Sequence, residues 1–574
     1  MFTFHTKQGG KSMQKCFIVF ILSLAIVFTM SGTAFAALSP DDLINSLPDF
    51  SQYGEGIIEK YEEPVKMSIG IGINLSKPFP DGDSYENNVW SRYFKENLNV
   101  DIELAFTTSD LADKVNTMIA IGDLPDVLQV DADQLAMLSD SGLIRDDIKD
   151  IYNKYADSGI RSLIEGVGGK AVLESCTFNG KMMALPMMDT SAGEASPVLW
   201  LRTDWMEKFG LEDPKSYADL RNIMEVFTTK DPDGNGVDDT EGLVFFKDLW
   251  NNWFMLDGFF NIFEAYPERG FWVEDPAAPT KVMYGAFHPN VKAGLAELND
   301  LFKNKILDNQ FAIYDGEAAK SVVASGKVGV VIGAVYVPNS YLYTSKDNDP
   351  KADWHAVPIP GLDSETTPVT ANLPIRNYLV FRKDFEHPEA VLKMINLYQK
   401  VCFSTDTTLE TYAKYNEDNS GASSFSPFNI YPWGYYMPAV KNERIALYIA
   451  NGVKSSDAEM PSYARAFSKW VEGYEAGDST MWRWYRFFGP DGGHLITSRY
   501  MAENLYRMNG YYGPSTETMK ESMSLIYSLA EEMIIKIIMG DASIDEFETY
   551  QEKANNLGLA QITEEVNAWL AERR

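Results

Sequence analysis

The chain has 574 residues, of which 45% are hydrophobic and 23% charged, the balance of a folded globular protein and not of a disordered one. Its formal net charge is −32, and so acidic a surface argues against nucleic acid or an anionic membrane as partner. The length exceeds one ordinary core, so two or more lobes are expected.

Lys7, Lys11 and Lys15 precede an apolar run over 17–30, which ends in Ala34, Phe35 and Ala36. That order predicts a secretory signal peptide over residues 1–36, with the mature chain beginning at Ala37; an uncleaved anchor is the alternative. Removing the three lysines would bring the net charge from −32 to −35. Cys16 opens the apolar run and no cysteine stands at the cleavage site, so a lipid anchor is not expected. Cys176 and Cys402 remain, as a disulfide or as two buried thiols.

Residues 37–65 read as a polar, turn-rich leader. Met67, Ile69, Ile71 and Ile73 then alternate with small residues, and Val100, Ile102, Leu104 and Phe106 alternate with Asp101, Glu103 and Ala105, which is the period of strands. Leu111, Val115, Met118 and Ile119 have helical spacing, and Gly122-Asp123-Leu124-Pro125 stops that helix before a strand at 126–130. The alternation predicts an α/β lobe with parallel pairing. Ligands of open α/β sheets lie beyond the carboxyl ends of strands, which nominates Asn74, Ser76 and Lys77 after the first strand and Asp131 with Asp133 after the third. Taken singly, each is more often a cap or loop residue.

The sharpest motif is KDPDGNGVDDTEG at 230–242. Asp231, Asp233 and Asn235 stand at alternate positions, Gly236 is sixth, the Val237 carbonyl seventh and Asp239 ninth, the hard-oxygen pattern of an EF-hand calcium loop. Gly242 occupies the twelfth position, where a bidentate Glu belongs, so Glu241 or Asp238 would have to close the shell. A plain Asp/Asn/Gly turn is the alternative. A bound Ca2+ would be a structural clip on the preceding helix, which Ser216 caps with Asp219 and in which Tyr217, Leu220, Ile223, Met224 and Phe227 line one face.

Further on, Trp250 and Trp253 in DLWNNWFMLDGFF, Tyr336 at the exit of a strand and Trp433 in YPWGYY are aromatic candidates for stacking on a pyranose ring, although large aromatics are more often core. Lys77 and Arg376 are the only cations nominated beside them, which favours a neutral ligand over an anionic one. Toward the end, Met519, Met523, Ile526, Ala530, Met533 and Ile537 share a helix face; Gly540 ends that helix, and Ser543 with Glu546 caps the next. No H-E-x-x-H, phosphate loop or nucleophile elbow occurs, and an abundance of acids makes any carboxylate pair uninformative.

Three blocks carry a resemblance: LWLRTDWMEKFGL with KDPDGNG, IAIGDLPDVLQVDADQLAMLSDSGLI, and the helices from 511 onward. They resemble the family 1 extracellular solute-binding proteins of ABC importers, above all the large carbohydrate-binding branch of Gram-positive bacteria. The likeness runs from 67 to 570 and fails in the leader and over 416–484. It implies an α/β, two-lobe, periplasmic-binding-protein-like (type II) fold with discontinuous lobes and a hinge. Residues 66–188 and 361–405 would form the first lobe and 189–360 and 406–574 the second, with crossovers at 183–188 and 357–360. The implied function is capture of an oligosaccharide for the permease subunits of an ABC transporter, by a non-enzymatic monomer secreted from or held at the cell surface. A secreted, calcium-stabilised polysaccharide-degrading enzyme and a ligand-sensing receptor subunit are the alternatives.

Overall fold

Apolar side chains at every second position bury one face of the first strand, β1 (Val65–Gly72), where Val65, Met67, Ile69 and Ile71 are all buried. The computed structural model describes residues 56–72, 82–166, 169–188, 195–251, 253–403 and 441–573, with isolated positions between them. Asn74, Ser76, Lys77 and Trp433, and the segment expected to be a signal peptide, lie outside the described residues. Helix α1 (Val89–Leu98) leads to β2 (Val100–Thr108), and α2 (Leu111–Ile121) to β3 (Val127–Val130). β1 pairs in parallel with both β2 and β3, as strands joined through helices do. Asp110 caps α2 and Gly122, at φ 72°, ends it, so the expected stop signal sits where the helix stops. Helix α3 (Ala132–Ser139) follows β3 directly.

β4 (Leu185–Met188) is the last strand before the chain leaves this sheet. A second sheet is made of β5 (Val198–Arg202), β6 (Glu241–Leu243), β7 (Val328–Gly333) and β8 (Trp354–Val357), in the order β8-β5-β7-β6. Helix α4 (Tyr217–Thr229) precedes β6, and the short α5 (Leu256–Asn261) lies between β6 and β7. The chain then returns through β9 (Val369–Ala371) to β10 (Ile375–Phe381), which enters the first sheet between β3 and β4, giving β2-β1-β3-β10-β4. β10 is antiparallel to both neighbours, so the first sheet is mixed and not purely parallel. The reason is topological, because β10 arrives from the other lobe and not through a βαβ crossover.

Two hydrophobic cores follow from the two sheets. Met67, Trp90, Leu379 and Tyr398 of helix α6 (Glu389–Phe403) belong to the first, and Trp200, Phe227, Val330 and Ile534 to the second. The third boundary differs from the expected one at 405. Ile445, Ala446, Leu447 and Val471 pack into the first core, so 441–488 lies with the first lobe. The crossing is made by α7 (Trp482–Phe488), whose Trp482 is in the second core while Phe487 and Phe488 are in the first. Its sequence, WRWYRFF, is apolar on opposite sides, which suits a helix wedged between two cores. Buried Arg486 fixes it there, reaching both carboxylate oxygens of Asp353 at 2.9 and 2.8 Å, and Trp482 Nε1 donates to the same residue at 2.7 Å.

A strand at Tyr506–Met508, β11, pairs with β9, and α8 (Glu517–Met539) then buries Met523, Ile526, Ala530, Met533 and Ile537 in the second core. Gly540 ends α8 at φ 83°, and Ser543 with Glu546 forms the expected capping box. Cys176 and Cys402 are both buried in the first core as thiols and not as a disulfide. Among the described residues no helix is long and apolar enough to cross a membrane.

Candidate functional site between the lobes

A cavity of about 230 Å³ opens where the two lobes meet beside the returning chain. The first lobe contributes Asp131 and Ala132 at the β3–α3 turn and Arg376, Asn377 and Tyr378 from β10; the second contributes Asn509, Tyr511, Tyr512 and Gly513 after β11. Asn372 and Leu373, on the crossover itself, and Ile375 at the start of β10 complete the wall. Three aromatic rings, three amides, one carboxylate and one exposed guanidinium make a lining suited to a ligand with both hydroxyls and apolar ring faces.

Local chemistry explains how each group is held. Asp131 caps α3, accepting from Gln134 N at 2.8 Å while its own N–H donates to Gln134 Oε1 at 3.1 Å. Asn509 is fully committed: its Oδ1 accepts from Trp272 N at 3.0 Å and Tyr511 N at 3.2 Å, and its Nδ2 donates to Gly270 O at 3.0 Å and Asn372 Oδ1 at 3.1 Å. Gly513 is required by close approach, since a Cβ there would lie 2.8 Å from both the Trp569 ring and the Tyr511 hydroxyl.

Of the residues nominated from sequence, the cavity brings together Asp131 and Arg376. Asp133 is placed otherwise and does not line it: its Oδ1 accepts from Ser515 N at 2.6 Å, tying the first lobe to the second. Tyr512 makes a parallel tie, donating to Glu174 Oε2 at 2.9 Å. Trp253 and Tyr336 are brought to each other and not to the cavity, edge to face with centroids 5.1 Å apart, and Trp253 also lies 4.7 Å from the Tyr341 ring. Tyr336 packs against both cores, and Trp250 against the second. These rings fill the seam between lobes because half-buried aromatics there gain more by packing on each other than by facing solvent.

The acidic loop joins α4 to β6. Gly236 N donates to Asp231 Oδ2 at 3.1 Å, Val237 N to Asn235 Oδ1 at 2.6 Å, and the Asn235 amide bridges Asp233 at 2.8 Å and Asp239 at 3.1 Å. Lys327 pairs with Asp239 at 2.9 Å. Among the described residues no three acidic, His or Cys side chains converge as a metal cluster in this arrangement. The donor set still fits a hard cation: Asp231 Oδ1 is buried with no hydrogen-bond partner, and the Asn235 amide bridges two carboxylates as a cation would. Glu241, nominated with Asp238 to close the shell, is half-buried at the start of β6. Burial first, then the charge of buried Asp308, push its carboxyl up to about 8.

Residues 76–400 match the family described as bacterial extracellular solute-binding protein. The chain belongs to that family. Within it, the chain is 26% identical over 304 residues to the fructooligosaccharide ABC transporter substrate-binding protein FusA of Streptococcus pneumoniae, an alignment covering 51% of this chain and 53% of that one. It thus spans about half the length of that relative. It is 24% identical over 227 residues to the polygalacturonan/rhamnogalacturonan-binding protein YtcQ of Bacillus subtilis, covering 38% and 41% of the two chains. The fold is similar to that of a crystallised extracellular solute-binding protein from Bifidobacterium longum subsp. infantis, with a TM-score of 0.59, 15% identity, and 88% and 98% of the two chains covered.

Sequence reasoning missed the rest of this solute-binding protein's cavity wall, including Asn372, Asn509, Tyr511 and Tyr512. The pair of tyrosines before Gly513-Pro514 was a visible aromatic turn, but nothing local says that it faces β10 from the other lobe. It also missed a second aromatic seam, in which Trp470 stacks on Trp484 with centroids 4.4 Å apart and Arg483 lies 5.3 Å from the Trp484 ring and 5.8 Å from that of Tyr343.

Proposed function

We propose that this solute-binding protein captures an oligosaccharide in the cavity between its lobes and delivers it to the permease subunits of an ABC importer. The observation that carries the reading is the composition of that wall: Asp131 and Arg376 from one lobe, Asn509, Tyr511 and Tyr512 from the other, and Asn372 between them. The Asn372 and Asn377 amides and the Asp131 carboxylate pair with sugar hydroxyls while Asn509 holds the wall in place, the phenol rings offer faces to pyranose or furanose carbons, and closure of two lobes removes the ligand from water. The names of FusA and YtcQ support a glycan as the class of ligand. One guanidinium, with no second cation among the described residues of the wall, favours a neutral glycan over a polyuronide.

The reading includes export through the N-terminal segment, a monomeric protein, and a Ca2+ held by Asp231, Asp233, Asn235, Asp239 and the Val237 carbonyl. That ion would bind the loop together and take no part in capture. The test is a thermal-shift screen over fructooligosaccharides, maltooligosaccharides and galacturonan fragments, with reducing ends measured in the same samples. A shift without new reducing ends is expected; new reducing ends would favour a degrading enzyme, and no shift from any glycan would remove the reading.

A further inference from the structure

A second cavity, of about 660 Å³, lies where the parallel strands β6 and β7 begin, at the opposite end of β7 from Tyr336 and the seam between the lobes. Asp239 of the acidic loop, Glu241, Asp308 and Lys327 all stand in its wall. Strand pairing puts Lys327 there: Glu241 N donates to Lys327 O at 2.8 Å, just before β7. From that anchor the ammonium reaches Asp239 Oδ2 at 2.9 Å, while Asp239 Oδ1 accepts from the Asn235 amide at 3.1 Å. Both oxygens of the carboxylate at the ninth loop position are therefore taken by N–H donors, one of them a cation.

The other side of the same cavity holds acid without a paired cation. Asp308 is 2% exposed and accepts from Gln310 N at 2.6 Å, and Glu241 is half-buried. Among the described residues neither carboxyl takes part in an ion pair. The second lysine at the loop, Lys208, donates to the Asp231 and Pro232 carbonyls at 3.0 Å each, so it braces backbone and leaves the carboxylates free for a metal. Lys305, also in the cavity wall, is exposed. Lys327 thus stands between two acidic groups and is paired with one of them.

We propose that Lys327 is the resident cation of the acidic loop: it competes with Ca2+ for Asp239 and moves to Glu241 when the metal takes that carboxylate. The inference rests on the reading of the loop as a Ca2+ site. The side chains of Lys327 and Asp239 are 45% and 28% exposed, and an ion pair so open to water contributes little, so a dication displaces the ammonium. The competition still weakens the metal, because the affinity of an oxygen site follows its ligand charge and Lys327 offsets one of the charges of Asp231, Asp233 and Asp239. An ammonium left about 5 Å from a dication in water lowers its affinity on the order of tenfold at low salt, and less where salt screens the pair. The carboxyl of Glu241, across the same cavity, gives the displaced ammonium a partner.

The experiment is calorimetric titration of EDTA-stripped, desalted protein with CaCl2 in low and high NaCl. Lys327→Gln is expected to bind Ca2+ about tenfold more tightly than wild type at low salt, with the gap closing at high salt, whereas Lys327→Arg, which keeps the charge, shows no gain. Glu241→Gln is expected to weaken Ca2+ binding severalfold in the wild-type background and to change it little in Lys327→Gln, a coupling that a residue with only a structural role would not show. Equal affinities of wild type and Lys327→Gln at low salt overturn the inference and leave the Ca2+ site standing. A loss from Glu241→Gln that is as large without Lys327 makes Glu241 a ligand of the ion and overturns the transfer. Absence of Ca2+ binding in wild type and in Lys327→Gln alike removes the Ca2+ reading and the inference with it.

Discussion

Ser515 donates its backbone N–H to Asp133 Oδ1 at 2.6 Å, so that the start of α3 in one lobe is bonded to the segment before α8 in the other. A carboxylate that accepts a backbone N–H across a lobe boundary makes a charge-assisted bond, and its loss leaves that N–H short of a partner. Asp133→Ala is expected to destabilise the protein by about 1–3 kcal/mol in urea unfolding. Scattering should show a larger radius of gyration in the ligand-free variant than in wild type. An unchanged radius would mean that the bond does not hold the lobes together.

Trp253 and Tyr336 pack on each other and on Tyr341, so their energy lies in folding. Trp253→Ala is expected to cost about 2 kcal/mol or more in stability while affinity for the best glycan of the screen changes by less than about threefold. Denaturant unfolding and calorimetry on one preparation separate the two effects. A tenfold loss of affinity without a loss of stability would return these rings to the ligand.

Two acids of the second lobe, Asp257 and Glu268, give stability a pH dependence with a definite sign. Glu268 is pushed up to about 8 by burial and then by Asp257, and Asp257 up to about 6 by burial, whereas both titrate in the ordinary carboxylate range when unfolded. Between those values the folded state holds more protons than the unfolded one, so stability falls as pH rises through the window and levels off above about 8. Glu268→Gln should therefore melt higher than wild type at about pH 8.5, with a smaller difference at about pH 5. Equal differences at the two pH values would show that Glu268 titrates normally.

Chelation tests the acidic loop. EDTA is expected to lower the melting temperature of the wild type, and Asp231→Ala, which removes the unpartnered buried oxygen, to abolish that sensitivity. An EDTA-insensitive wild type with no metal by elemental analysis would leave the loop a hydrogen-bonded turn organised by Asn235.

Much of the framework was legible because it is written locally. Alternation marked β1 and β2, helical spacing with Gly122 gave α2 its bounds, and the Ser216, Gly540 and Ser543 signals stand at real helix ends. The lobe assignment of 441–488 was not, because an apolar helix face says that it is buried but not in which of two cores. The cavity was legible only in part: the strand-end rule found Asp131, while Tyr511, Tyr512 and Asn509 come to it from about 380 residues further along the chain, and no local pattern records that pairing. Asp133 shows the limit of the rule, since its position was read correctly and its partner is a backbone amide of the other lobe.

The most direct measurement is calorimetry of the best glycan from the screen against wild type and against the double variant Arg376→Ala/Tyr512→Ala, which removes one wall group from each lobe. Loss of a charged hydrogen bond and of a ring contact is expected to weaken binding about a hundredfold in the double variant, with its far-ultraviolet spectrum unchanged. Wild-type affinity in the double variant would contradict a ligand site between the lobes.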